Sequence, residues 1–157
     1  MQTIGPCLWF NGTAEAAVNF YVALFENAKL LGTTRYPEGL PGKAGEVMSL
    51  EFELAGEKFL ALNAGPEFGF TPAISFAVQC DTQAEVDRLW EALSAGGVAM
   101  PCGWVTDRFG VTWQVVPRML PQVFKGPDGP AKQRAIAAMM QMTKLEIAPL
   151  ERALRGE

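Results

Sequence analysis

The sequence predicts an α+β fold: two copies of one strand–helix–strand–strand–strand unit, followed by a helical tail. Three observations carry this. Two amphipathic helices each follow a threonine in cap position, Thr13 and Thr82. Superposing those caps brings Ala17 onto Val86, Phe20 onto Leu89, Tyr21 onto Trp90 and Leu24 onto Leu93. Each helix is then followed by a glycine turn, at Gly56 and at Gly110, and a closing strand.

The elements follow in order. Residues 3–10 are apolar and end at the turn Asn11-Gly12, so they read as a strand. From Thr13 the apolar residues recur at helical spacing. Residues 29–36 read as a strand. Pro37-Glu38-Gly39-Leu40-Pro41-Gly42 is a loop, because its prolines and glycines cannot continue a ladder. Met48, Leu50, Phe52 and Leu54 alternate with Val47, Ser49, Glu51 and Glu53, a half-buried strand. Ala55-Gly56 turns the chain and residues 57–63 return.

The second copy opens with Ile74, Phe76, Val78 and Cys80, expected to face a helix, alternating with Ser75, Ala77 and Gln79. Thr82 caps the second helix and Gly96-Gly97 stops it. The distance from there to the last strand is shorter than in the first copy, so the middle strands must be short. Paired repeats therefore span residues 1–117, about 1–66 and 72–117. Residues 118–157 form a helical extension: a short helix to about 124, a second over 131–142, and a third with Pro149 in its first turn. Met139, Met140 and Met142 read as packing residues, since methionine fills irregular apolar gaps.

Composition narrows the function. The chain has 157 residues, 49% hydrophobic and 19% charged, with a net charge of −4. Its 13 Lys and Arg are scattered without a basic stripe, so nucleic acid is not an expected partner. There is no histidine, which removes the commonest metal ligand and the commonest general base. Cys7, Cys80 and Cys102 form neither a zinc pattern nor a disulfide framework, which fits a reducing cytoplasm. No apolar run is long enough for a membrane span, and the first residues do not read as a signal peptide.

Certain segments resemble a known family. They are Pro6-Cys7-Leu8-Trp9-Phe10-Asn11-Gly12 with Ala14-Glu15-Ala16-Ala17 and Phe20-Tyr21, then Leu62-Asn63-Ala64-Gly65-Pro66 and Ala73-Ile74-Ser75-Phe76. The most specific is Cys102-Gly103-Trp104-Val105-Thr106-Asp107-Arg108-Phe109-Gly110-Val111-Thr112-Trp113-Gln114. Together they resemble the vicinal oxygen chelate superfamily, the glyoxalase I and bleomycin-resistance fold, and within it the PhnB-like branch. That branch often carries the label 3-demethylubiquinone-9 3-methyltransferase, and the tail is similar to its extension. The resemblance implies a curved mixed sheet from each repeat, a cleft around a small ligand, and a homodimer.

In metal-dependent members, ligands come from the first and last strands of each repeat. Carried over, those positions fall on Ala73, on Gln114, near Leu60, and among Ile4, Gly5 and Pro6. Divalent cations need charged or imidazole donors, so no metal is expected. No closely spaced glycine loop follows a strand, so no cofactor is expected and the methyltransferase label is not taken as an activity.

In the last strand, Thr112, Gln114 and Val116 share one face, and Val111, Trp113 and Val115 the other. Small and polar residues on one face fit a solvated surface or a cleft; the resemblance favours a cleft lined by Ser75, Gln79, Thr112 and Gln114. Trp104 could stack on a planar ligand, as could Trp9, although both are first of all core residues. Arg108 could meet an anion, while Asp107 beside it suits a turn. Cys102 is a candidate nucleophile, but an inert thiol is the simpler reading without a histidine to activate it. Asn63 is expected to satisfy the turn at Ala64-Gly65-Pro66. The expected function is metal-free binding of an unidentified small molecule. The alternatives are a metal-independent lyase, isomerase or transferase using Gln114, Cys102 or Glu51, and a dimeric interaction module.

Overall fold

The computed structural model describes residues 1–40 and 43–157, so Pro41 and Gly42 of the expected loop lie outside the described residues. The chain divides into two compact units, Met1–Phe70 and Thr71–Glu157.

In the first unit, β1 (Cys7–Phe10), α1 (Ala14–Leu24), β2 (Lys29–Arg35), β3 (Val47–Leu54) and β4 (Glu57–Asn63) follow in that order. The sheet runs β1-β4-β3-β2, with β1 parallel to β4 and the other pairs antiparallel. Ala17, Val18 and Tyr21 of α1 are buried, as are Leu50, Phe52 and Ala61 on the sheet. β1 starts at Cys7, four residues later than the expected strand, because Pro6 brings a carbonyl to Leu60 N but no N–H of its own.

Thr13 occupies the N-cap position of α1, yet its side chain makes no capping bond. The cap comes from Asn63 instead: its Oδ1 accepts from Ala14 N at 2.9 Å, and its Nδ2 donates to Val47 O at 3.1 Å. Asn63 thus ties the helix start to two strands, and these bonds go to Ala14 and Val47 rather than to the expected turn at Ala64-Gly65-Pro66.

The second unit repeats the pattern with β5 (Phe76–Cys80), α2 (Gln83–Ser94), β6 (Val98–Ala99), β7 (Trp104–Thr106) and β8 (Thr112–Pro117). Its sheet order is β5-β8-β7-β6, with β5 parallel to β8. The short middle strands have two and three residues. Thr82 makes the expected cap, a full capping box with Glu85. β5 starts at Phe76, because Phe76↔Trp113 is its first pairing with β8. Ile74 precedes that pairing, and its side chain is 74% exposed rather than facing the helix.

Val86, Leu89 and Leu93 of α2 are buried with Val105, Trp113 and Val115, forming this unit's core. The hairpin from β7 to β8 is organised by Asp107, 3% exposed. Its Oδ1 accepts from Phe109 N and Val111 N at 2.8 and 3.1 Å, and its Oδ2 from Trp113 Nε1 at 2.9 Å.

The extension forms α3 (Met119–Lys125), α4 (Pro130–Met140) and α5 (Ile147–Arg155). It is part of the second unit and is fastened to α2 there by Gln83, whose Nε2 donates to Leu145 O and whose Oε1 accepts from Ile147 N. Leu145 and Leu150 are fully buried. Gly103, at φ +82°, fits where a Cβ would lie 2.8 Å from both Leu145 Cδ1 and Val115 O. Met139 and Met142 are half-buried packing residues as expected, whereas Met140 is 62% exposed on α4's outer side.

Candidate functional site

Register brings one row of side chains together on the second sheet. Ala77 of β5 and Trp104 of β7 both pair with Gln114 of β8. Alternation sends Trp113 into the core, 2% exposed, and leaves Gln114 on the opposite face. On that face lies a cavity of about 410 Å³. The sheet side is lined by Ala77, Gln79, Trp104, Gln114 and Val116, with Cys102 from the preceding 3₁₀ turn. The facing wall is Leu120, Pro121, Phe124 and Lys125 of α3 and Met139 of α4.

Of the residues singled out in the sequence, Gln114, Gln79, Trp104 and Cys102 line this cavity. Ser75 stands behind them, its Oγ accepting from Gln114 Nε2 at 2.9 Å. That bond fixes the amide and leaves Gln114 Oε1 as an acceptor for a ligand. Gln79 Oε1 accepts from Arg118, which also pairs with Asp81. Thr112 does not line the cavity; its hydroxyl is 3.0 Å from that of Thr106. Arg108 does not line it either, and its guanidinium lies 4.9 Å from the centre of the Phe109 ring. The wall residues of α3 and α4 escaped sequence reasoning, because nothing local in a tail signals which sheet face it will cover.

Cys102 sits at φ +64°, a left-handed conformation that costs a non-glycine residue about 1–2 kcal/mol. Its N–H donates to Met142 O and that of Gly103 to Thr143 O, so the extension holds this strained turn in place. Of the other two thiols, burial pushes Cys80 up to about 11, with the Glu85 carboxylate adding to it. Burial also raises Cys7.

Cavities also lie on the first unit. One, of about 300 Å³, has Cys7, Leu60 and Glu51 across the sheet with Lys58 beside them. The larger, about 560 Å³, lies at the start of α1 among Arg35, Lys43, Glu15 and Glu46. Its cations are already engaged: Lys43 lies 5.0 Å from the centre of the Tyr36 ring, and Arg35 donates to Gly45 O. Volume alone favours that cavity. An apolar wall facing fixed amides is what a ligand site requires, and this favours the smaller one in the second unit.

The family model described as 3-demethylubiquinone-9 3-methyltransferase matches residues 2–116. Among solved structures, the PhnB protein from Bacillus cereus is 35% identical, with a TM-score of 0.69 over 74% of this chain and 99% of that one. Protein PA1353 from Pseudomonas aeruginosa is 26% identical, with a TM-score of 0.62 over 72% and 95% of the two chains. The fosfomycin resistance protein FosX from Listeria monocytogenes, solved with Mn(II) and sulfate, is 14% identical. Its TM-score is 0.52 over 77% of this chain and 97% of that one, and it shows the shared fold alone. No curated protein matches.

A divalent cation of the kind held by FosX does not fit this cavity. The side chains at hand are two amides, the Ser75 hydroxyl and the Cys102 thiol, with neither carboxylate nor imidazole. Among the described residues no group of three His, Cys, Asp or Glu is placed to hold a metal.

Proposed function

Since the chain belongs to the 3-demethylubiquinone-9 3-methyltransferase family, the PhnB-like branch of the glyoxalase and fosfomycin-resistance superfamily, we propose that it is a metal-independent small-molecule-binding protein whose site is the cavity of the second unit. One observation carries the reading: an apolar pocket of about 410 Å³ in which fixed amides are the polar anchors of the sheet face. Such a site binds by shape and hydrogen bonding. Sequestration needs nothing more.

Gln114 is the principal anchor in this reading. A hydrogen bond of this kind contributes about 0.5–1.5 kcal/mol net. Gln114→Ala is therefore expected to weaken binding of 2-naphthol, a flat probe with one hydroxyl, about three- to tenfold by calorimetric titration. Unchanged affinity would remove Gln114 from the site. The enzymatic alternative is favoured by Cys102 alone, a thiol on the same cavity in a strained backbone. Turnover lost on Cys102→Ser would move the reading to that class.

The proposal extends to a cytoplasmic homodimer. Three free thiols suit a reducing compartment. Edge strand β2 exposes Leu30 and Leu31, 46% and 42% accessible, and symmetric pairing would cover them. Sedimentation at micromolar concentration is expected to give twice the chain mass; a species of 17.0 kDa would contradict the dimer.

A further inference from the structure

The cavity's two sides differ in origin. Its sheet side belongs to the region the family model matches, which ends at residue 116. Its facing wall comes wholly from α3 and α4, beyond that limit. The wall supplies the apolar side chains Leu120, Pro121, Phe124 and Met139 and the lysine Lys125.

The charge of the lining is one-sided. Among the described residues no Asp or Glu lines the cavity, and Lys125 is the one cation that does. Among the described residues Lys125 has no ion-pair partner, whereas Arg118 is paired with Asp81 and Lys132 with Asp128. An unpaired ammonium on a cavity that Trp104 and Phe124 also line suits a ligand with a flat apolar body and an anionic end. Gln114 Oε1, held by the bond to Ser75, accepts from a hydroxyl or N–H on the same body. The extension is also rigidly placed, through Gln83, buried Leu145 and the backbone bonds of Cys102 and Gly103.

Resting on the reading of this cavity as the ligand site, we infer that the C-terminal extension selects the ligand, and that the ligand class is a planar apolar or aromatic carboxylate, its anionic group at Lys125. Relatives sharing only the sheet side would lack this preference.

The test is calorimetric titration of the full chain with 2-naphthoate and with neutral 2-naphthol, at low and at physiological salt. Lys125→Gln is expected to weaken 2-naphthoate about three- to fivefold, the size of one exposed ion pair, and to leave 2-naphthol unchanged. Lys125→Glu should weaken 2-naphthoate further. Added salt should weaken 2-naphthoate binding to the unmodified protein and not that of 2-naphthol. Parallel changes for both probes, or none, overturn the inference, as does binding of 2-naphthol without 2-naphthoate or of neither. Ala77→Trp separates the two levels. If it abolishes both titrations while the Lys125 variants distinguish nothing, the cavity stands and the inference fails. If it leaves both titrations intact, the cavity reading fails and the inference with it.

Discussion

Asp107→Ala is expected to destabilise the second unit by about 2–5 kcal/mol, lowering its thermal midpoint by roughly 10 °C or more. The carboxylate is buried and accepts from Phe109 N, Val111 N and Trp113 Nε1. Removing it strands donors inside the core, and a stranded buried donor costs more than the bond itself was worth. The damage spreads because Trp113 belongs to the core under α2, and its strand, β8, also carries Gln114. Asp107→Asn sharpens the test. One amide oxygen can still serve the two backbone donors, but the NH₂ group then faces Trp113 Nε1, donor against donor. An intermediate loss is expected, about 1–3 kcal/mol. Differential scanning calorimetry of both variants checks the order; an Asp107→Ala midpoint within a degree or two of the parent would contradict it.

The same hairpin shows how far local sequence reaches. Asp107 ahead of Gly110 reads as a turn, and the structure agrees: Gly110 has φ +92° and its N–H donates to Asp107 O. The bond to Trp113 Nε1 is also within that short span. Thr82 with Glu85 is equally local, and the capping box forms as written. Thr13 fails the same rule because its competitor is remote. Asn63, 49 residues from Ala14 in sequence, is carried to the helix start by β4 and takes the cap. Pairing also decided where β5 begins, since Ile74 has no β8 residue opposite it.

The candidate site divides along the same line. Strand alternation is a property of a few neighbouring residues, so it put Gln114 opposite Trp113 and grouped Ala77 with Gln79. It could not show that Thr112 would turn its hydroxyl to Thr106, or that Arg108 would lie over Phe109. Still less could it show that Leu120, Phe124 and Lys125 would face the sheet. The placement of Leu120, Phe124 and Lys125 comes from the extension, whose Leu145 and Leu150 are fully buried far along the chain from the strands they meet.

Ala77→Trp is expected to weaken 2-naphthol and 2-naphthoate binding on the order of 100-fold with the fold intact. Ala77 lies beside Gln114 in register, lines the cavity, and is exposed, so a larger side chain meets open cavity space rather than core. An indole there would occupy the surface a flat ligand needs. Burying such a ligand involves on the order of 100–150 Å² of apolar surface, about 2.5–4 kcal/mol. Loss of that contact corresponds to the expected change in affinity. The most direct measurement is therefore paired: calorimetric titration of Ala77→Trp with both probes, alongside its thermal midpoint. The account predicts no detectable binding and a midpoint close to that of the parent protein. Parental affinity at a parental midpoint would place the ligand elsewhere and contradict it.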